Sequence, residues 1–138
     1  MGENVNRFVC NAVTGFAIAF ALAGASALGA TQALGAHPFW SLQVVLIGLA
    51  IGVSARAATW PVQKYHRGLV GLYLLGALVA AGVTVVGKDR FVTSYAEDYV
   101  GGRMWYYGWI AVSGFVFAGL WQILAHMLCP PTAAMQGD

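Results

Sequence analysis

The sequence predicts an all-α integral membrane protein, a bundle of four transmembrane helices with a short interfacial helix between the third and fourth spans. Composition is the first observation behind this. Of 138 residues, 59% are hydrophobic and 9% charged, whereas soluble domains carry roughly 25% charged residues. The second is that four runs free of Asp, Glu, Lys and Arg, at about 8–30, 39–55, 68–87 and 107–128, are each long enough to cross a hydrocarbon core. The third is that the charges fall mainly between those runs. The chain reads as one membrane domain covering residues 1–138.

The first run, Phe8 to Ala30, is rich in small residues. Gly15, Ala19, Ala23 and Ala27 recur every fourth position and make a smooth ridge that suits another helix better than lipid. Arg7 ahead of this run and Ala25-Ser26-Ala27 near its end resemble a secretory signal. The run is longer than a usual signal core, so an uncleaved span is expected. Pro38 opens the second run, where a missing N–H costs little. That run carries Gly48 and Gly52 in GxxxG spacing, which permits close backbone approach. Arg56, Lys64 and Arg67 then form an acid-free basic stretch, with Trp60-Pro61 as anchor and helix stop. In the third run, Gly76, Ala80 and Thr84 share a small face.

Residues 89–100 have their own pattern. Phe91, Tyr95 and Tyr99 repeat every four residues, which predicts a short amphipathic helix at the interface, stopped by Gly101-Gly102 and available as a docking surface. Trp105, Tyr106, Tyr107 and Trp109 read as an aromatic belt at the start of the fourth span, which Cys129-Pro130-Pro131 ends. Basic residues set the expected orientation. With both termini cytoplasmic, Arg7, Arg56, Lys64 and Arg67 lie inside and Lys88, Arg90 and Arg103 outside.

Chemistry is sparse. The net charge of +2 comes from scattered basic residues interleaved with acids, so no stripe exists to neutralise nucleic-acid phosphates. Cys10 and Cys129 lie at opposite ends of the chain and read as small apolar fillers near helix ends. His37, His66 and His126 match no metal motif. The expected topology does put His66 and His126 on the side of both cysteines, which leaves open whether the four converge on a ligand. No metal or cofactor is expected. No catalytic motif is present and no acid lies within a span, so an enzyme is not expected either.

On the fourth span, Gly114, Ala118, Gln122 and His126 follow one another at i+4 and turn a small face polar. Gln43 and Gln122 read as interhelical hydrogen-bond formers, with each other or with Thr84. Together with His126 they also define a possible polar pathway. In general shape the chain resembles small bacterial inner-membrane proteins and accessory subunits of larger membrane complexes. The expected function is accordingly a structural, assembly or accessory subunit in the bacterial inner (plasma) membrane. Its expected partners are the lipid bilayer and other membrane subunits or further copies of itself; the alternative is a small oligomeric transporter or channel.

Overall fold

The computed structural model describes residues 2–129. Four helices in it are long and apolar enough to cross a membrane. They are α1 (Gly2–Ala27), α3 (Ser41–Ala58), α4 (His66–Thr93) and α5 (Tyr99–Leu128). A single-turn helix α2 (Ala30–Ala33) links α1 to α3, and a 3-10 segment, Trp60–Tyr65, links α3 to α4.

α5 is the axis of the structure. It packs against α1, α3 and α4, and half of its most apolar window is buried, against 17% for α1. α1 and α3 also touch each other. α4 runs along α5 and reaches the end of α3 through Tyr73, whose hydroxyl hydrogen-bonds Thr59 Oγ1 at 2.8 Å. The core is filled by Val44, Val45 and Leu49 of α3, Ile18 of α1 and Phe117 of α5, with Phe117 only 1% exposed.

Small residues set these contacts, as helices that must approach closely require. A Cβ on Gly48 would stand 2.7 Å from the Ile110 carbonyl oxygen, and one on Gly52 would stand 2.9 Å from the Gly114 carbonyl oxygen. On α1, Gly15 lies against the Trp121 ring, while Ala19 and Ala23 border the cluster around Phe117. On α4, Gly76 faces Phe115, Ala80 is buried, and Thr84 meets Gly108.

Between α4 and α5 the chain differs from the sequence reading. Residues 89–93 are the last turn of α4, and no separate interfacial helix forms over 89–100. The helix ends in a Schellman arrangement: the Tyr95 N–H donates to Val92 O and the Ala96 N–H to Phe91 O, with Tyr95 and Ala96 both left-handed at φ 54° and 66°. Gly101 and Gly102 stop nothing. They lie in the first turn of α5, where Gly101 lets α5 approach the Phe91 backbone and Gly102 faces the Phe91 ring. The expected docking triad is therefore split. Phe91 packs on Trp105, while Tyr95 and Tyr99 are exposed. The two tryptophans of the expected aromatic belt also turn inward, while Tyr107 stays exposed. Trp105 and Trp109 are buried with Ala36, Val44 and Ile110, and the Trp105 indole N–H donates to Gly35 O at 3.2 Å. Gly35 itself, at φ 101°, is the left-handed residue closing α2.

Asp98 caps α5. Its Oδ1 accepts from the Gly101 N–H at 2.9 Å, and its Oδ2 accepts from Arg90. The Gly101 hydrogen bond, aided by Arg90 against the cost of burial, holds this carboxyl below the usual carboxylate range. A lowered folded-state pKa means that the cap's contribution is complete above the ordinary carboxylate value and is lost as pH falls from there through the lower folded value. Hydrogen exchange at the Gly101 amide should therefore be pH-independent near neutrality beyond the intrinsic rate, and protection should drop in that acid window. Asp98→Ala should remove both the protection and its acid dependence.

Candidate functional site

One set of interhelical polar contacts lies at the end of the structure where α1 begins and α5 finishes, and a separate set, Ser26 to Ser41 O and Gln32 to Ser41 Oγ, lies at the other end. Cys10 and Cys129 form a disulfide at the first of these ends, with Cα atoms 6.0 Å apart, tying α1 to the end of α5. The sequence reading of both cysteines as unlinked apolar fillers is thereby corrected. Neither is a free thiolate for a metal, and among the described residues no group of three or more His, Cys, Asp or Glu side chains is arranged to hold a metal ion.

The centre of this end is Arg56. The sequence reading placed it in a basic loop, but it lies within α3 and is only 3% exposed. The reason is helical phase. Gly48, Gly52 and Arg56 occupy successive i+4 positions and share one face. Since both glycines pack on α5, Arg56 is carried into the same interface one turn further along. The face it meets is the matching row on α5, where Gly114, Ala118 and Gln122 are all buried.

Arg56 Nη1 donates to Gln122 Oε1, and its guanidinium carbon stands 5.2 Å from the centroid of the Trp121 ring. These contacts offset part of the cost of removing a cation from water. Its Nε is buried without a hydrogen-bond partner. The ion pair found among the described residues is Arg90–Asp98, at the opposite end. Arg56 is thus a buried cation with no carboxylate beside it among the described residues.

Donor and acceptor rules fix the next link. Arginine only donates, so Gln122 turns its oxygen to Arg56 and its amide Nε2 to His66 Nδ1, 2.9 Å away, which accepts. The His66 ring stacks on His126, with centroids 3.8 Å apart and planes 16° from parallel. Of the three residues proposed as a polar pathway, Gln122 is buried in this cluster and His126 lies exposed at its edge. Gln43 is exposed near the start of α3 at the other end, so it does not meet Gln122. Thr84 bonds to its own helix, at Ala80 O.

The remaining buried hydroxyls do not extend the cluster. Thr14, Thr84 and Ser113 each donate to the carbonyl four residues earlier, while at the far end Ser26 bonds Thr31 and Ser41 O, and the Ser41 hydroxyl donates to Pro38 O. Between the ends the core is apolar around Phe117 and Val44.

Two grooves adjoin α3 and α4. One, about 350 Å³, runs between α1 and α3 with Arg56, Phe117 and Trp121 among its lining residues. The other, about 780 Å³, is an apolar channel on the outer surface of α4 and α5, lined in part by the small residues Gly76, Ala80, Gly108 and Ala111. No family model, curated protein or solved structure matches the chain.

The arrangement makes Gln122 the acceptor that satisfies the buried guanidinium. Gln122→Leu should lower stability by about 1–3 kcal/mol, the cost of stranding a buried polar group. Gln122→Glu, which keeps an acceptor and adds the missing countercharge, should be tolerated. Thermal unfolding of both purified variants in one detergent provides the check, and equal losses would contradict it.

Proposed function

We propose that the chain is a non-catalytic membrane component, a structural or accessory subunit that works by helix packing with other subunits or with copies of itself. The observation that carries this reading is the groove on α4 and α5. α4 has α5 as its one long-helix packing neighbour, and its outer surface beside the small-residue channel is apolar through Leu72, Leu75 and Val79. In a bilayer, lipid tails give no hydrophobic drive between helices, and small-residue grooves are where another helix gains close contact. What favours this over a transporter is the core between the two ends. Its hydroxyls bond to their own backbone, and its apolar filling offers no continuous polar path.

The test is the mass of the full chain purified in mild detergent. More than one chain per particle is expected, and Ala111→Phe, which fills the groove, should reduce the particle to a single chain. A wild-type particle holding one chain and no stoichiometric partner protein would remove the proposal.

With Arg56 inside the packed interface, the remaining basic residues are Arg7, Lys64 and Arg67 at the disulfide end and Lys88, Arg90 and Arg103 at the other. That balance no longer favours the cytoplasmic placement of both termini. The Cys10–Cys129 bond supports the opposite one, because disulfides persist on the oxidising side of a membrane, as in the bacterial periplasm bordering the inner membrane. We therefore place the disulfide end, with Arg7 and the 3-10 segment, on the outer side. Impermeant maleimide on intact cells should label Gln63→Cys and leave Glu97→Cys unlabelled; the reverse pattern would restore cytoplasmic termini.

A further inference from the structure

We infer that the groove between α1 and α3 is a binding site for an anionic phospholipid, with the phosphate at Arg56 and an acyl chain between the helices. Three observations converge. The groove wall includes Phe8, Phe16, Val53 and Phe117, an apolar channel of the kind an acyl chain fills. Arg56, also on that wall, is 97% buried by its 3% exposure, and its Nε lacks any hydrogen-bond partner. A second cavity of about 390 Å³ shares Phe8, Asn11 and Trp60 with the groove and adds Arg7, Asn4 and Gln63. The two together form an apolar slot opening into a polar mouth.

The charge is one-sided. The lining of both cavities holds two arginines and no carboxylate. Arginine is the side chain best suited to phosphate, because its fork of N–H groups meets the oxygens in a plane and its charge strengthens each bond. Here Nη1 is committed to Gln122 while Nε is free. The Asn11 side-chain oxygen and backbone carbonyl both accept from the Trp121 indole N–H at 2.9 Å, which fixes the tryptophan beneath the guanidinium. A phosphodiester at this depth would supply the countercharge that the described residues lack. A zwitterionic headgroup supplies it less well, since its own cation competes.

The site goes beyond subunit packing but rests on the chain lying in a bilayer. Resistance of the expressed protein to carbonate extraction is therefore measured first, and loss there would count against membrane placement rather than against the groove. The full chain is then reconstituted in nanodiscs of equal phosphatidylglycerol and phosphatidylcholine, released into detergent, and examined by native mass spectrometry. Wild type should retain one phosphatidylglycerol with a preference of roughly tenfold over phosphatidylcholine, because the choline cation competes with Arg56 for the same phosphate. Arg56→Gln should abolish the preference. Ala12→Phe, which narrows the slot and leaves Arg56 intact, should abolish retention of either lipid, so the inference stays testable if Arg56→Gln does not fold. Equal retention of the two lipids by wild type, or an unchanged preference in a folded Arg56→Gln, would overturn it. Displacement of the lipid by millimolar inorganic phosphate would also overturn it, by showing a free-anion site in which the acyl slot plays no part.

Discussion

The close approach of α3 to α5 is the constraint on which the rest of the molecule depends. Gly48 and Gly52 bring α3 onto the backbone of α5 at Ile110 and Gly114, where a single added carbon on either would collide. Because the helical repeat carries the same face onward, that approach decides where Arg56 goes. The Cα–Cβ bond of Arg56 therefore leaves α3 on the face that both glycines press onto α5. The cation is driven against Gln122, and the polar cluster of Arg56, Gln122, His66 and His126 follows from that placement.

The other helices are arranged around this seam with different degrees of attachment. α4 is held by α5 along its length, with the Asp98 cap and the Schellman turn closing the connection between them. α1 is held more lightly. Only 17% of its most apolar window is buried, and its firm points are Gly15 against Trp121, the Asn11 acceptors and the disulfide. A covalent tie matters most for a helix with little burial of its own. The slot beside Arg56 opens at this lightly packed contact.

Much of the helical layout was legible in the sequence because uncharged apolar runs of spanning length leave few alternatives. The GxxxG pair and the face of Gly76 and Ala80 could be read as packing surfaces; in the structure Gly48, Gly52 and Gly76 lie against α5 and Ala80 is buried. Arg56 was misplaced although its signal was present, since it follows Gly52 by four residues and so shares the packed face. Its position after an apolar run suggests a loop charge, whereas its helical phase assigns it to the packed face. Parity could likewise have separated Gln43 from Gln122, because four alternating spans put the start of the second and the finish of the fourth at opposite ends.

Other features depend on tertiary partners and were not legible. Gly101-Gly102 has the composition of a helix stop, yet it serves the approach to Phe91, which only the fold of the α4–α5 connection creates. The pairing of Cys10 with Cys129 across a separation of 119 residues requires both chain ends to meet at one corner, and spacing alone does not say so. A double-mutant cycle between Arg56→Met and Gln122→Met, read by unfolding in a single detergent, tests the central claim most directly. Side chains meeting at the end of the glycine seam should show a coupling energy of about 1–3 kcal/mol, whereas additive effects within about 0.5 kcal/mol would mean that α3 does not carry Arg56 onto α5.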